Sequence, residues 1–341
     1  MELTRRHLLR SSLYTAGGIA AASALAACGS GNGGTTSQSA GQSADSGLTS
    51  WTMQSSWIND TEFMGYFIAM DKGYYKDEKL DFTYVPGGPS VTVETTLIAG
   101  KSSIGLSEPD ATANAINKQG VDLVIVGAQF QKNPLGVVSL RKNGINSPHD
   151  LVGKRFAVPD GNRITVDAMF KANGIDPKSV KIVPYAYDPT PLIKGNVDAT
   201  LDFVYDVAFA VQQAGDKPSS FLVYDHGLKL PNDVVVVTKE TLAKNRDQVV
   251  GWLRASRKGW EENFKDPAKY PPLFTKTWFK GNGLTLANEM YDNQAEQALM
   301  ENPKGIFYFD DQQVAEWIAG LNAVGIKATP SMFDTSLIAE I

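Results

Sequence analysis

Between residues 48 and 238, short apolar runs alternate with segments of helical periodicity, and this alternation restricts the chain to a layered α/β architecture. A first set of apolar runs falls at 48–57, 80–85, 103–106, 121–129 and 135–140, the last continuing the sheet outward. Helical patterns at 64–75, 90–99 and 110–118 separate them. Gly73 marks a helix end, Ser90 a helix start and Pro86-Gly87-Gly88-Pro89 a turn. A second set follows, with strands at 155–158, 180–185, 199–203 and 221–224 and helices at 164–172, 190–194 and 205–214. The run 234–238 closes the pattern, and beyond Glu240 nearly everything reads as helix. There Val249, Leu253, Ser256 and Trp260 share one face. Leu286 with Met290, and Val314 with Trp317, Ile318 and Leu321, do likewise, so all three stripes are expected to face a core. Two sets joined near 135–140 and 230–238 predict two lobes crossed twice by the chain. Lobe 1 is expected at 51–138 plus 233–341 and lobe 2 at 139–232. Ligands of open α/β sheets sit beyond the carboxyl ends of the strands, which places the site in the cleft between the lobes.

Composition removes whole classes of chemistry. Net charge is −5 with no basic run, a poor match to nucleic acid, which needs clustered Lys and Arg. Cys28 is the sole cysteine, and beyond residue 27 the only histidines are His149 and His226. Intrachain disulfides, zinc sites built from several His or Cys ligands, and a Cys–His nucleophilic pair are therefore excluded. No cofactor is expected. The hydrophobic fraction of 43% is ordinary for a chain that buries a real core.

The first fifty residues read as an address. Arg5-Arg6 precedes Leu8-Leu9, an apolar stretch runs over 13–27, and Leu25-Ala26-Ala27-Cys28 ends it. A paired arginine, a short apolar run and small residues before a cut site make a secretory signal. The run is too short and too rich in Ala and Gly to span a bilayer of ~30 Å. The start resembles a twin-arginine export signal, and Leu-Ala-Ala-Cys resembles the bacterial lipobox, in which Cys28 is lipidated. Residues 29–50 are almost all Gly, Ser, Thr, Asn, Gln and Ala, which cannot bury enough surface to offset ordering entropy. A coil of ~20 such residues spans ~25 Å. The expectation is a signal peptide at 1–27, a tether at 28–50, and a protein anchored by lipid to the outer face of the cell membrane.

Several segments carry a family resemblance. Residues 69–81, Ala69-Met70-Asp71-Lys72-Gly73-Tyr74-Tyr75 through Leu80-Asp81, resemble a segment of solute-binding proteins of ABC importers. The resemblance is to the branch with sulfonate-, nitrate- and thiamine-pyrimidine-binding members. Pro86-Gly87-Gly88, Leu97-Ile98-Ala99-Gly100-Lys101, Asp150-Leu151-Val152-Gly153-Lys154 and Gly195-Asn196-Val197-Asp198-Ala199 follow in the order of that branch. Lys79 and Ser103 depart from the pattern, and the turn Asp202-Phe203-Val204-Tyr205-Asp206 lacks the Asn-Glu-Pro frequent in pyrimidine binders. The resemblance implies a type II periplasmic-binding-protein fold, two α/β lobes joined by two crossover segments and closing on a ligand by hinge bending. It also implies partners: a small-molecule ligand, an ABC permease and its ATPase. A monomer is expected.

On that fold, the turns facing the cleft are aromatic and acidic. The candidate ligand-binding residues are Trp57, Phe63, Tyr66, Glu108, Gln129, Asp160, Asn162, Tyr185, Tyr187, Asp202, Tyr205 and Asp206. Asp110, Asp188 and Asp206 also stand where helix caps are expected. Arg163 is the one cation placed near a strand end. Nitrate or sulfonate needs Arg, Lys or free helix N-termini. Aromatic faces with carboxylates instead suit a flat ring bearing amino groups, or a cation. A thiamine-precursor pyrimidine is the first expectation and a flavin-like ring the second. The alternatives are a sulfonate- or nitrate-type binding protein, a pyrimidine-synthase-like enzyme of the same fold, and a sensor or adhesin. No enzymatic activity is expected.

Overall fold

A computed structural model describes residues 47–88 and 90–341. The signal segment 1–27, Cys28, residues 29–46 of the tether, and Pro89 lie outside the described residues. The expected tether overruns by two residues, because β1 (Thr49–Gln54) already begins at Thr49.

Two five-stranded sheets organise the chain. The first has the order β2-β1-β3-β10-β4, built from β1, β2 (Leu80–Val85), β3 (Ile104–Ser107), β4 (Leu123–Phe130) and β10 (Asn232–Thr238). The second has the order β7-β6-β8-β5-β9, from β5 (Leu135–Leu140), β6 (Arg155–Val158), β7 (Lys181–Pro184), β8 (Ala199–Phe203) and β9 (Pro218–Leu222). In the first sheet only β10 runs against its neighbours; in the second, β5 does. Each of these two strands is the first laid down after the chain changes lobe. Strand β5 therefore belongs to the second sheet, which corrects the expectation that it continues the first. An apolar run followed by another apolar run reads the same whether or not a crossing lies between them. The crossings fall at 131–134 and 223–231, where Asn133 N donates to Leu230 O at 3.1 Å and Lys132 pairs with Asp225 at 2.8 Å.

Seven helices of nine residues or more pack on the sheets among the described residues. They are α1 (Met64–Lys72), α2 (Pro109–Gln119), α3 (Arg163–Ala172), α4 (Val204–Gln213), α5 (Arg246–Lys265), α6 (Leu286–Met300) and α7 (Asp311–Ala323). Helix α1 stops at Gly73, whose φ of +77° ends the helix in the left-handed region. Its other notable glycine lies against α5: a Cβ on Gly259 would fall 1.9 Å from the Gly65 carbonyl oxygen, so the two helices cross at backbone contact. The α5 stripe is buried as expected, and Trp252 and Trp260 lock it to Tyr66 of α1, at ring separations of 5.4 and 6.0 Å. Val314, Trp317 and Leu321 of α7 are also buried.

The third stripe is corrected. Leu286 and Met290 of α6 are 38% and 36% exposed, and the buried residues of this helix are Glu289, Asp292, Asn293, Glu296 and Met300. Helix α6 lies over the first lobe beside the 3-10 turn Thr61–Phe63 and reaches α4 of the second lobe. There Phe209 packs on Tyr291 at 5.2 Å, and Gln212 Nε2 donates to Tyr291 OH at 3.2 Å. No described helix is long and apolar enough to cross a membrane.

Candidate functional site

The cleft face of lobe 1 is built where β1 and β3 end and β10 begins. After β1, Ser55 Oγ donates to Trp57 O at 2.8 Å and accepts from Gly87 N at 2.9 Å; Gly87 N also reaches Trp57 O at 2.8 Å. A Cβ on Gly87 would sit 2.3 Å from Ser55 O, so only glycine lets the 86–88 turn press against 55–57. The turn is thus a tight brace that fixes the backbone presenting Trp57. The Trp57 indole Nε1 is buried with no partner among the described residues. Asp60 then caps the 3-10 turn, its Oδ1 accepting from Glu62 N at 3.1 Å, and that turn directs Glu62 inward.

Glu62 meets Asp233, the second residue of β10, which is fully buried with φ at +46°. Asp233 accepts from Ser56 Oγ at 3.0 Å and from Gln129 Nε2 at 3.0 Å. Burial, with the Asp233 charge second, pushes Glu62 well above the usual carboxylate range. Burial pushes Asp233 up to about 6. Glu108, at the end of β3, is raised by burial and then by Asp233 and Asp110; the Asn232 amide, turned to face it, donates to its carboxylate. Behind it Glu94 is buried and accepts from Ser107 Oγ at 2.5 Å and Thr112 Oγ1 at 3.0 Å.

Helix α6 adds a second acidic wall. Glu289 accepts from Thr61 N at 3.1 Å and from Asn282 Nδ2 at 2.6 Å, while Asn293 exchanges amide bonds of 2.8 and 3.0 Å with Asn263 of α5. These bonds hold the polar face of the helix inward. Glu296 lies 98% buried, and its Oε2 has no partner among the described residues. Burial raises its pKa well above the ordinary value, and Asp292, Asp60, Asp206 and Glu289 raise it further. From lobe 2, Tyr205 is 4% exposed with its hydroxyl also unpartnered among the described residues; burial, then Glu296 and Glu62, push that hydroxyl well up. A cavity of about 190 Å³ lies beside it, walled by Tyr205 and Ala208 of α4, Leu222 of β9, and Tyr291, Ala295 and Leu299 of α6. A larger open groove of about 640 Å³ lies at the other end of the first sheet, by Trp51, Ser103 and Thr238, away from these carboxyls.

The sequence-derived residues divide into three groups. Trp57, Glu108, Tyr205 and Asp206 belong to the acidic chamber or its walls. Tyr185, Tyr187, Asp202, Asp160 and Asn162 gather on the lobe 2 side. Tyr185 OH donates to Asp202 at 2.8 Å, and Tyr187 is 57% exposed at φ +57° with its ring 5.7 Å from Tyr185. Asp160 is exposed and Asn162 half-buried, in the turn that opens α3. Phe63, Tyr66 and Gln129 are corrected to interior residues. Phe63 packs on Tyr84 at 6.0 Å, and Tyr66 is walled by Trp252, Trp260 and Phe307. Gln129 lies on β4, buried on both faces, and its amide is committed to Tyr66 OH, Glu62 O and Asp233. Asp188 accepts from Thr190 N at 3.0 Å, as a cap would. Arg163 pairs with Asp167 at 3.0 Å. Sequence reasoning missed Asp60, Glu62, Asp233, Glu289, Asp292 and Glu296.

Chemically, the chamber is rich in acceptors. No lysine or arginine among the described residues forms an ion pair with Glu62, Glu108, Asp233 or Glu296. Such a site repels anions and favours donors or cations, which let buried carboxyls ionise.

Comparison with known proteins gives the same frame. The solved periplasmic aliphatic sulphonate binding protein SsuA of Escherichia coli superposes with a TM-score of 0.64 at 14% identity, covering 81% of this chain and 85% of that one. The fold is thus that of periplasmic binding proteins. A formylaminopyrimidine-binding protein of Halalkalibacterium halodurans is 25% identical over 291 residues, 81% of this chain and 86% of the relative. A 4-amino-5-hydroxymethyl-2-methylpyrimidine phosphate synthase of Legionella pneumophila is 24% identical over 215 residues, 61% of this chain and 67% of that one. Residues 60–270 match the family described as NMT1/THI5 like, and the chain belongs to that family.

Proposed function

We propose that this protein is an extracytoplasmic substrate-binding lipoprotein of an ABC importer that captures an amino-bearing heteroaromatic nutrient, a thiamine-precursor pyrimidine before a flavin-like ring. The observation that carries the reading is the buried group of Glu62, Glu108 and Asp233, beside Trp57 and Tyr205, with no lysine or arginine paired to them among the described residues. Exocyclic amines would donate to these carboxyls, at about 1.5–3 kcal/mol for each charge-assisted bond. Ring faces would rest on aromatic side chains, adding about 0.5–1.5 kcal/mol each. Two of each supply roughly half of the ~8 kcal/mol of a micromolar complex. The pyrimidine-binding relative, matched over most of its length, supports the same ligand class.

Binding rather than synthesis is proposed, although synthases stand among the relatives. The sole cysteine, Cys28, is not among the described residues, and His149 and His226 both lie in the second lobe, His226 with its ring 4.9 Å from Phe221. Lipidation of Cys28 would tether the clamp to the outer membrane face, and the closed lobes would present the ligand to a permease driven by an ATPase. Tryptophan fluorescence tests the ligand class. Titration with 4-amino-5-hydroxymethyl-2-methylpyrimidine is expected to give a saturable change, and ethanesulfonate none. The reverse pattern would replace the reading by a sulfonate-type binder.

A further inference from the structure

The site has a second pole. One group of carboxyls, Glu62, Asp233 and Glu108, sits at the strand ends of lobe 1. Another, on α6, faces lobe 2 and is not needed to hold a flat ring against the strand ends. Helix α6 buries Glu289, Asp292 and Glu296 on one face and leaves Leu286 and Met290 partly exposed, the opposite of what packing alone selects. Two further observations point to a ligand there. Tyr205 is 96% buried, and its hydroxyl is unpartnered among the described residues and set among Glu296, Glu62, Asp206 and Asp292. Glu296 Oε2 is likewise buried and unpartnered. A tyrosine hydroxyl can accept a bond as well as donate one, so phenol and carboxylate together offer acceptors from two lobes to one donor group. Tyr205 also lines a cavity of about 190 Å³ together with Tyr291, Ala295 and Leu299 of α6.

We propose that Glu296 and Tyr205, flanked by Asp60 and Asp206, form a subsite for an alkylammonium group carried by the ligand on a short arm, separate from the carboxyls that receive the ring. An ammonium has three donors, and a planar ring amine has two directed in its own plane. Acceptors spread over α6, α4 and the 60–62 turn suit the former. Because the acceptors come from both lobes, the ammonium would also tie the lobes together, and the group on the arm would decide which ligand closes the clamp.

The proposal rests on the heteroaromatic reading above, and its test separates the two. Two probes of equal size are titrated calorimetrically at pH 7 into the whole protein: 4-amino-5-aminomethyl-2-methylpyrimidine, whose arm is charged, and the 5-hydroxymethyl compound, whose arm is neutral. The wild type is expected to bind the charged probe at least tenfold more tightly. Glu296→Gln is expected to reduce that preference about tenfold while changing affinity for the neutral probe less than threefold, and Tyr205→Phe to reduce it less. Asp206→Asn serves as the second carboxyl variant should Glu296→Gln fail to fold. Equal affinity for both probes, or a preference that both carboxyl variants leave intact, would overturn the subsite while the pyrimidine reading stands. Benzylammonium carries the charge without the pyrimidine. If it raises the melting temperature of the wild type but not of Glu296→Gln, and neither pyrimidine binds, the subsite holds and the pyrimidine reading falls. Binding of none of the three overturns both.

Discussion

Helices α5 and α6 pack on the same lobe and bury opposite chemistry. Helix α5 turns Val249, Trp252, Leu253 and Trp260 inward and crosses α1 where Gly259 meets Gly65. Helix α6 turns three carboxylates and an asparagine inward and leaves Leu286 and Met290 at the surface. The first arrangement lowers the free energy of the folded chain by removing apolar area from water. The second raises it at Glu296, whose buried carboxyl must stay protonated or ionise with no lysine or arginine paired to it among the described residues. A helix that costs stability and is nevertheless held in place by Asn263, Asn282 and the Thr61 amide is explained by what the buried face receives.

The contrast predicts unequal responses to mutation. Trp252→Ala, on the buried face of α5, should cost about 3–5 kcal/mol, read as a large fall in the denaturation midpoint, with ligand preference unchanged in whatever protein stays folded. A loss below 1 kcal/mol would mean that α5 does not anchor the lobe. Glu296→Gln should do the reverse: the unliganded protein gains roughly 1–2 kcal/mol at pH 7 and binds the charged ligand less well. Lower stability in this variant would show that Glu296 is satisfied within the protein.

Acid should act in the same direction as that variant. The raised pKa values of Glu62, Glu108, Asp233 and Glu296 mean that the folded chain holds protons the unfolded chain has released. Their burial is therefore tolerated best below the ordinary carboxylate range near 4, and stability falls as pH rises from there towards each raised folded value, about 6 for Asp233. The melting temperature of the unliganded protein should rise as pH is lowered from 8 to 5, by roughly 1–3 kcal/mol in stability. Glu62→Gln should flatten that slope, and a melting temperature that instead rises with pH contradicts the assignment. The smallest effect is expected on the outer face of α6, where Leu286→Ser and Met290→Ser should each change stability by less than about 0.5 kcal/mol. A larger loss in urea denaturation would restore the apolar stripe as a packing surface.

Much of the fold was legible because its signals are local. Strands at 80–85, 155–158 and 199–203 coincide with β2, β6 and β8, and the Gly73 stop holds. The strand expected at 221–224 lies earlier, at Pro218–Leu222, because Ser219 and Ser220 pair with Ser139 and Val138 of β5 despite their low apolarity. The sheet to which β5 belongs was not legible, since strand order is decided by long-range pairing. Within the site, Trp57, Glu108 and Tyr205 were reachable from the strand-end rule. Asp233 was not, because it stands one residue before a run of four valines that reads simply as buried strand. The face of α6 carried a visible signal: Glu289, Asp292, Asn293 and Glu296 recur at spacings of three and four, the period usually sought only among apolar residues. Phe63 and Tyr66 were misplaced for the converse reason. Aromatic residues near a strand end serve a core or a cleft equally well, and here the α1–α5 crossing claims Tyr66 while Tyr84 claims Phe63.

The central claim is that the clamp selects for positive charge. Calorimetric titration of the whole protein at pH 7 with three probes tests it most directly: the aminomethyl pyrimidine, its hydroxymethyl counterpart and ethanesulfonate. The order predicted is cation tightest, neutral ring next, and no saturable heat from the anion. Saturable binding of ethanesulfonate, or a neutral ring that outranks the cation, would contradict it.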